Sequence, residues 1–344
     1  MIKQIGNFIA TICAGLFVIS GLIAITLFNI DQKAFAPETY KTAFKEQGLY
    51  AAAPTIFTDM IYASVEDSNN ASVLLTLLNK DQMGFVISSL LPPNELETLM
   101  DGVFDSFFNF LNGETDSISI PLVSIKQHIV SEGGVQAFTQ ILQMQPECTP
   151  EQIMQMGFGF LSSNTTLMMC KPPDEVMNLV TPLIQTQLQV IASNFPDQLT
   201  LTGSDQAGLV EFRTRLNKVR AAMRITPAIP VFFLLAIVIF AVRSFSGLLN
   251  WWGIPLLLTG VSSLFLALIG APLIRFFMET VILQGNANMP AIFLDMMRNV
   301  LGSIVGLILR PIIVEGIILA LIGAGMLVGA RLLNKKSQST TLTI

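Results

Sequence analysis

Long uncharged apolar stretches constrain this chain more than any other feature. The first lies between Lys3 and Asp31 and reads FIATICAGLFVISGLIAITLF. A helix needs about 20 consecutive apolar residues to cross a bilayer, so this stretch is long enough. It exceeds the apolar core of a cleavable signal peptide, which is about 7–15 residues. The nearby Ala34-Phe35-Ala36 precedes Pro37, which disfavours cleavage, so we predict an uncleaved signal anchor at residues 1–30.

Three further crossings are expected near the C-terminus. Trp251-Trp252 would place an aromatic pair at the headgroup level before the second of them. Arginine is costly at the bilayer centre and proline is favourable as the first residue of a helix, so the last span is expected to follow Arg310 and begin at Pro311. The expected membrane domain, 228–333, then has spans at about 228–242, 253–272 and 311–330, an outer interfacial segment at 273–310 and, beyond the domain, a cytoplasmic tail at 334–344.

The composition excludes several classes of protein. Only 12% of the residues are charged, whereas soluble domains carry about 25%. The chain has 19 Lys and Arg against 24 Asp and Glu, so no positive surplus is left for phosphates. An ordinary soluble enzyme and a nucleic-acid-binding protein are both disfavoured.

The distribution of basic residues predicts the orientation. With four spans and the N-terminus inside, the inner segments carry cations and no acid: Lys3, Arg243, Arg331, Lys335 and Lys336. This is the positive-inside pattern, so we expect a multi-pass protein of the cytoplasmic membrane with both termini in the cytoplasm. A basic cluster just before the second span would lie outside, but long translocated domains largely escape the rule.

Residues 31–227, between the first two spans, are long enough to fold around a core of their own. From Asp31 to Asp205 they hold 20 acids, six lysines and no arginine. Apolar residues recur at helical spacing in 93–112 and 173–194. We expect an acidic, mostly helical extracytoplasmic domain on an all-α membrane protein with four transmembrane helices.

Local patterns add two details to this domain. Thr149-Pro150-Glu151-Gln152 has the form of a helix capping box. Residues 117–122 and 198–201 alternate apolar and polar side chains instead, which is typical of strands. These two stretches are candidates for one short two-stranded ribbon.

A basic stalk helix is expected at 205–225. Its stripe of Leu209, Phe212, Leu216, Val219 and Met223 is predicted to pack against the rest of the domain. Five cations lie off the stripe, where anionic lipid headgroups or a partner's acids could meet them. These candidate contact residues are Arg213, Arg215, Lys218, Arg220 and Arg224.

Two cysteines in the extracytoplasmic domain, Cys148 and Cys170, flank a predicted helix. In an oxidising compartment this arrangement predicts a disulfide. With the opposite orientation they would be free thiols.

Glu315 is the one acid inside an apolar stretch, near the outer end of the last span. Ionisable groups in membranes are candidates for transport sites. The alternative is a structural ion pair at the interface with Arg310 or Arg275.

Catalytic patterns are few. His128 is the only histidine, and nothing near it has metal-ligand spacing. There is no glycine-rich phosphate loop, no G-x-S-x-G and no C-x-x-C. We expect no enzyme activity, no metal and no cofactor.

Five short motifs carry a resemblance to a known group: Leu91-Pro92-Pro93, Phe110-Leu111-Asn112-Gly113, Cys148-Thr149-Pro150-Glu151, Cys170-Lys171-Pro172-Pro173 and Trp251-Trp252-Gly253. The chain resembles uncharacterised bacterial four-span membrane proteins with an N-terminal anchor, a helical extracytoplasmic domain and three C-terminal spans. The resemblance implies this architecture and no activity.

Two functions remain open from the sequence. The first is a non-enzymatic interaction or accessory protein of the cell envelope, working through its extracytoplasmic domain on membrane lipids or an envelope protein. The second is a transporter or binding protein for lipids or small molecules, with a site between the spans and that domain. Broken helices or inverted repeats are typical of transporters, and Arg310-Pro311 is the one break in the pattern.

Overall fold

The computed structural model of the chain describes residues 2–67, 79–159, 170–201, 206–278, 280 and 291–341. Nearly all of this part is helical, and four helices are long and apolar enough to cross a membrane. The chain is therefore an all-α, multi-pass membrane protein, which confirms the predicted fold class.

The elements follow one another in a simple order. The first span and the domain after it comprise α1 (Ile2–Ala34), α2 (Pro37–Glu46), α3 (Leu49–Asp67), α4 (Lys80–Leu90), α5 (Pro93–Asn112), β1 (Ile118–Pro121), α6 (Val123–Val130), α7 (Glu132–Gln143), α8 (Pro150–Gly159), α9 (Asp174–Asn194) and β2 (Gln198–Leu201). The stalk and the remaining spans are α10 (Gln206–Ile225), α11 (Ala228–Ala241), α12 (Phe245–Met278) and α13 (Ala291–Thr341).

The membrane bundle is built on a tight antiparallel hairpin of α12 and α13, and α1 packs against α11, α12 and α13. Gly253 and Gly260 face Gly323 and Gly316, so glycines seven residues apart meet on both helices. A Cβ atom added at Gly260 would lie 2.5 Å from the backbone nitrogen of Ala320. Small residues let helix backbones approach closely in membranes, and dispersion contacts then hold the pair together.

The last helix differs from the prediction. It does not begin at Pro311 but runs without interruption from Ala291 to Thr341, with Pro311 inside it. Its first half packs on α2, where the Ser303 hydroxyl and the Glu46 carboxylate are 3.4 Å apart, and on α12, where Arg275 lies against Gly302. Packing on two neighbours outweighs the hydrogen bond that the proline removes.

The domain between α1 and α10, residues 37–201, is called the helical domain below. Near the membrane bundle its core joins Phe108, Phe110 and Leu111 of α5 to Ile118 of β1. Farther away, Val135 and Leu142 of α7 pack on one face of α9 through Met177, Val180, Ile184 and Leu188.

Both local predictions for the helical domain are confirmed. β1 and β2 pair antiparallel, with Ile118 opposite Leu201. In the capping box, the Thr149 hydroxyl accepts a 3.3 Å hydrogen bond from the Gln152 amide, and the Gln152 side chain accepts one of 2.8 Å from the Thr149 amide. Helix α5 ends at Asn112 and is followed by Gly113, whose φ of 80° suits glycine.

Candidate functional site at the membrane junction

A buried carboxylate and two arginines lie where the first span meets the stalk. Asp31, in the last turn of α1, has a side chain only 1% exposed. Its Oδ1 accepts a 2.7 Å hydrogen bond from Nε of Arg220, and its Oδ2 accepts one of 2.7 Å from Nε of Arg224. The two arginines are four residues apart and so share one face of α10.

Arg220 contacts two further residues besides Asp31. Its Nη1 donates a 2.6 Å hydrogen bond to Oδ1 of Asn112, at the end of α5, and its guanidinium lies 4.5 Å from the ring centroid of Phe35. A buried charge is tolerated when it is paired and hydrogen-bonded. Arg220 thus ties α1, α5 and α10 together.

Two turns farther from the membrane, Arg213 makes a similar contact. It donates a 2.9 Å hydrogen bond to the carbonyl of Thr115, contacts the Asp116 carboxylate at 3.3 Å and lies over the ring of Phe110. The face of α10 that meets the helical domain is therefore largely basic.

This arrangement corrects the prediction for the stalk. Leu216 does pack near the core of the helical domain, but Leu209, Phe212 and Val219 are exposed, so the apolar stripe does not cover the domain as a whole. The cations at 213 and 220 are the residues turned inward. The cause is tertiary: the Asp31 carboxylate and the oxygen acceptors at and beyond the end of α5 bind Arg220 and Arg213 on this side of α10.

The five predicted contact residues accordingly divide into two groups. Arg213 and Arg220 form ion pairs with other parts of the chain. Arg215 is exposed and pairs with Glu211 along the helix at 2.6 Å, Lys218 is exposed, and Arg224 is 57% exposed although it contacts Asp31. Contact with lipids stays a prediction for the second group.

A cavity of about 490 Å³ opens beside this cluster, where α1 ends and α10 leads into α11. Its wall is mixed, with four ionisable side chains and apolar atoms from the start of α2. The lining includes Asp31, Phe35, Pro37, Glu114, Arg220 and Arg224.

Glu315 has a different partner from those predicted. Its Oε2 accepts a 2.9 Å hydrogen bond from Nδ2 of Asn29, which also donates to the Ile25 carbonyl. Within the described ranges Glu315 forms no ion pair with Arg310 or Arg275. Arg310 is five residues earlier on the same helix, about 140° around it, and Arg275 lies against Gly302.

The predicted disulfide is present. Cys148 and Cys170 are bonded, with their Cα atoms 5.0 Å apart. Around them the backbone of Cys148 donates to the Lys171 carbonyl at 3.0 Å, and Lys171 donates to the Pro146 carbonyl at 2.8 Å. This staple joins the chain before α8 to the start of α9.

Acids on α5 form a smaller cluster against α2. Lys41 contacts Asp105 at 2.6 Å and Glu38 at 3.4 Å. Burial raises the pKa of the Asp101 carboxyl, and Lys41 partly opposes this effect. Burial also raises the pKa of Tyr50, to about 12. Lys41 is already paired here, and no metal-ligand cluster occurs among the residues that the structure describes.

His128 lies apart from these acids. A ring nitrogen of His128 is 3.0 Å from the Ser89 carbonyl, a contact that ties α6 to the end of α4.

Sequence reasoning missed Asp31, Asn29, Asn112 and Glu114. One signal for Asp31 was present, because it is the first acid after the first span, and two arginines at helical spacing come just before the second span.

Comparison with protein families, characterised proteins and solved structures finds no match for this chain.

Proposed function

We propose that this protein is a non-enzymatic accessory protein of the cytoplasmic membrane whose helical domain binds an envelope protein outside the cytoplasm. The observation that carries the proposal is a second apolar face on α9. Leu179 is 71% exposed and Val190 51%, and Leu183 lies between them on the same side. A helix on a domain surface normally turns polar side chains to water, so apolar side chains on both faces favour a docking surface.

The contacts around Asp31 would hold such a docking surface in place relative to the membrane. Asp31, Arg220 and Asn112 fasten the helical domain to the first span through hydrogen bonds of 2.6–2.7 Å. A domain held in this way offers its α9 face at a fixed height above the bilayer, so less freedom is lost when a partner binds.

Two observations support the proposed orientation. The segments at one end of the bundle carry only cations, as in the positive-inside pattern. The helical domain, at the other end, contains the Cys148–Cys170 disulfide, and disulfides persist in oxidising compartments.

The test is site-specific photo-crosslinking of the full-length chain in cells. A photoreactive residue at Leu183 should give one discrete protein adduct, and the change Leu179→Gln should abolish it. The matched control places the photoreactive residue at position 189 instead, since Gln189 is exposed on another side of α9. Absence of an adduct at Leu183, or equal adducts at both positions, would contradict the proposal.

A second candidate function is binding of a lipid or small molecule between the spans and the helical domain. The cavity of about 490 Å³ beside Asp31 is the observation that favours it. Cavities of roughly 300–1,000 Å³ are typical of small-molecule sites. Protein adducts and cavity occupancy are independent measurements, so the two functions can be tested separately.

A further inference from the structure

We infer that the cavity beside Asp31 binds the headgroup of a zwitterionic phospholipid, with its phosphate on Arg224 and its ammonium beside Glu114. This inference rests on the second candidate function and names its ligand class. It follows from the unused hydrogen-bonding capacity of one arginine, the balance of charge in the cavity and the position of the cavity in the fold.

Arg224 is the cation with capacity to spare. Both oxygens of Asp31 are engaged, Oδ1 by Arg220 and Oδ2 by Arg224. Arg220 is nearly buried and also bonded to Asn112, whereas Arg224 is 57% exposed and uses only its Nε in the described contacts. A guanidinium has five N–H donors, and its two amino groups suit the oxygens of a phosphate.

The charge of the cavity selects a zwitterion. Arg220 and Arg224 contribute two positive charges, and Asp31 and Glu114 contribute two negative ones. Asp31 neutralises one arginine, which leaves the positive charge of Arg224 and the negative charge of the exposed Glu114 in the lining. A purely anionic headgroup would gain from Arg224 but be repelled by Glu114, whereas a headgroup with a phosphate and an ammonium satisfies both.

The position of the cavity indicates a lipid rather than a soluble phosphoamine. Arg224 is in the last turn of α10, directly before the apolar helix α11. Ile225 and Ile229, immediately after it, are exposed and continue onto the surface of α11 that would face lipid. A phosphate on Arg224 would therefore leave the acyl chains beside an apolar helix.

The experiment measures lipid bound to the purified full-length protein by native mass spectrometry. The probes are phosphatidylethanolamine and phosphatidylglycerol, each titrated at equal concentrations. We expect the wild type to bind phosphatidylethanolamine better by about fivefold, because a contact between exposed charges contributes up to roughly that factor. Equal binding, or preference for phosphatidylglycerol, would overturn the inference.

Three variants assign the contacts. Glu114→Gln should remove the preference by strengthening phosphatidylglycerol, and Glu114 is an exposed residue beyond the end of α5, so this variant keeps the fold. Arg224→Gln should weaken both lipids. Arg215→Gln, exposed on the same helix and outside the cavity, is the control and should change neither.

The results distinguish failure of the zwitterion assignment from failure of the second candidate function. If Arg224→Gln weakens both lipids but the wild type shows no preference, the cavity binds lipid and the zwitterion assignment is wrong. If lipid binds and Arg224→Gln changes nothing, the site lies elsewhere and both statements fail. Competition by soluble phosphoethanolamine at the same concentration as the lipid would refute the lipid source.

Discussion

Asp31 and Arg220 are 189 positions apart in the chain, yet Nε of Arg220 donates a 2.7 Å hydrogen bond to Oδ1 of Asp31. Because both side chains are at least 94% buried, the pair fixes the first span to the stalk and is largely shielded from water.

Asp31→Asn should therefore destabilise the protein strongly. The variant keeps the shape of the side chain but leaves Arg220 buried without a counter-charge, which costs about 3–5 kcal/mol. Thermal unfolding of the full-length protein in detergent measures the change. Glu97→Gln, which breaks the exposed pair with Lys45, is the control and should cost about 1 kcal/mol or less.

Close packing in the α12–α13 hairpin gives a second prediction. Gly260→Ala would place a Cβ atom 2.5 Å from the Ala320 nitrogen and 2.6 Å from the Gly316 carbonyl oxygen, so the backbones must separate. We expect a loss of about 1–3 kcal/mol. Gly270→Ala on the same helix meets no atom within 4 Å and should be neutral or slightly stabilising, and equal losses in both variants would contradict the packing argument.

The disulfide predicts both a thiol count and a stability. Denatured, unreduced wild type should show one free thiol, from Cys13. The double change Cys148→Ser, Cys170→Ser should lower the stability of the helical domain by about 2–4 kcal/mol, because the staple restricts the unfolded chain. Three free thiols in protein isolated under non-reducing conditions would rule out the bridge.

The raised pKa of Asp101 predicts a dependence on pH. A carboxyl whose pKa is higher in the folded state favours folding in acid, and this contribution is lost as pH rises through the folded pKa. Asp101→Asn should thus raise the unfolding temperature at neutral pH and have little effect below the ordinary pKa of 3.8. Asp105→Asn, which removes the partner of Lys41 at 2.6 Å, should lower the unfolding temperature at neutral pH.

Orientation can be tested with one added cysteine. A membrane-impermeant thiol reagent should not label a cysteine at Ser337 in intact cells, because basic inner segments predict a cytoplasmic C-terminus. The positive control is the same variant after permeabilisation. Efficient labelling in intact cells would reverse the proposed orientation.

The parts of the fold that sequence reasoning anticipated are those set by neighbouring residues. The four apolar helices, the β1–β2 ribbon and the Thr149 capping box all follow from patterns within one continuous stretch of sequence. Such patterns report local conformation directly.

The parts that it missed depend on partners far along the chain. The amphipathic pattern of α10 suggested that its apolar stripe faces inward, but the buried residue on the inward side is Arg220, which is paired with Asp31. Pro311 suggested a helix start, but packing on α2 and α12 carries α13 through it. The preference of Glu315 for Asn29 over an arginine likewise depends on how α1 and α13 are placed.

The length of α13 has a mechanical consequence. Its 51 residues extend about 77 Å, more than twice the thickness of a hydrocarbon core of about 30 Å. Helices meet a thinner or thicker bilayer by changing their tilt. Since one end of α13 is packed on α2, a change of 10° acting over about 30 Å of helix outside the bilayer would move its far end by about 5 Å. A change in the thickness of the surrounding membrane would in this way shift the position of the helical domain.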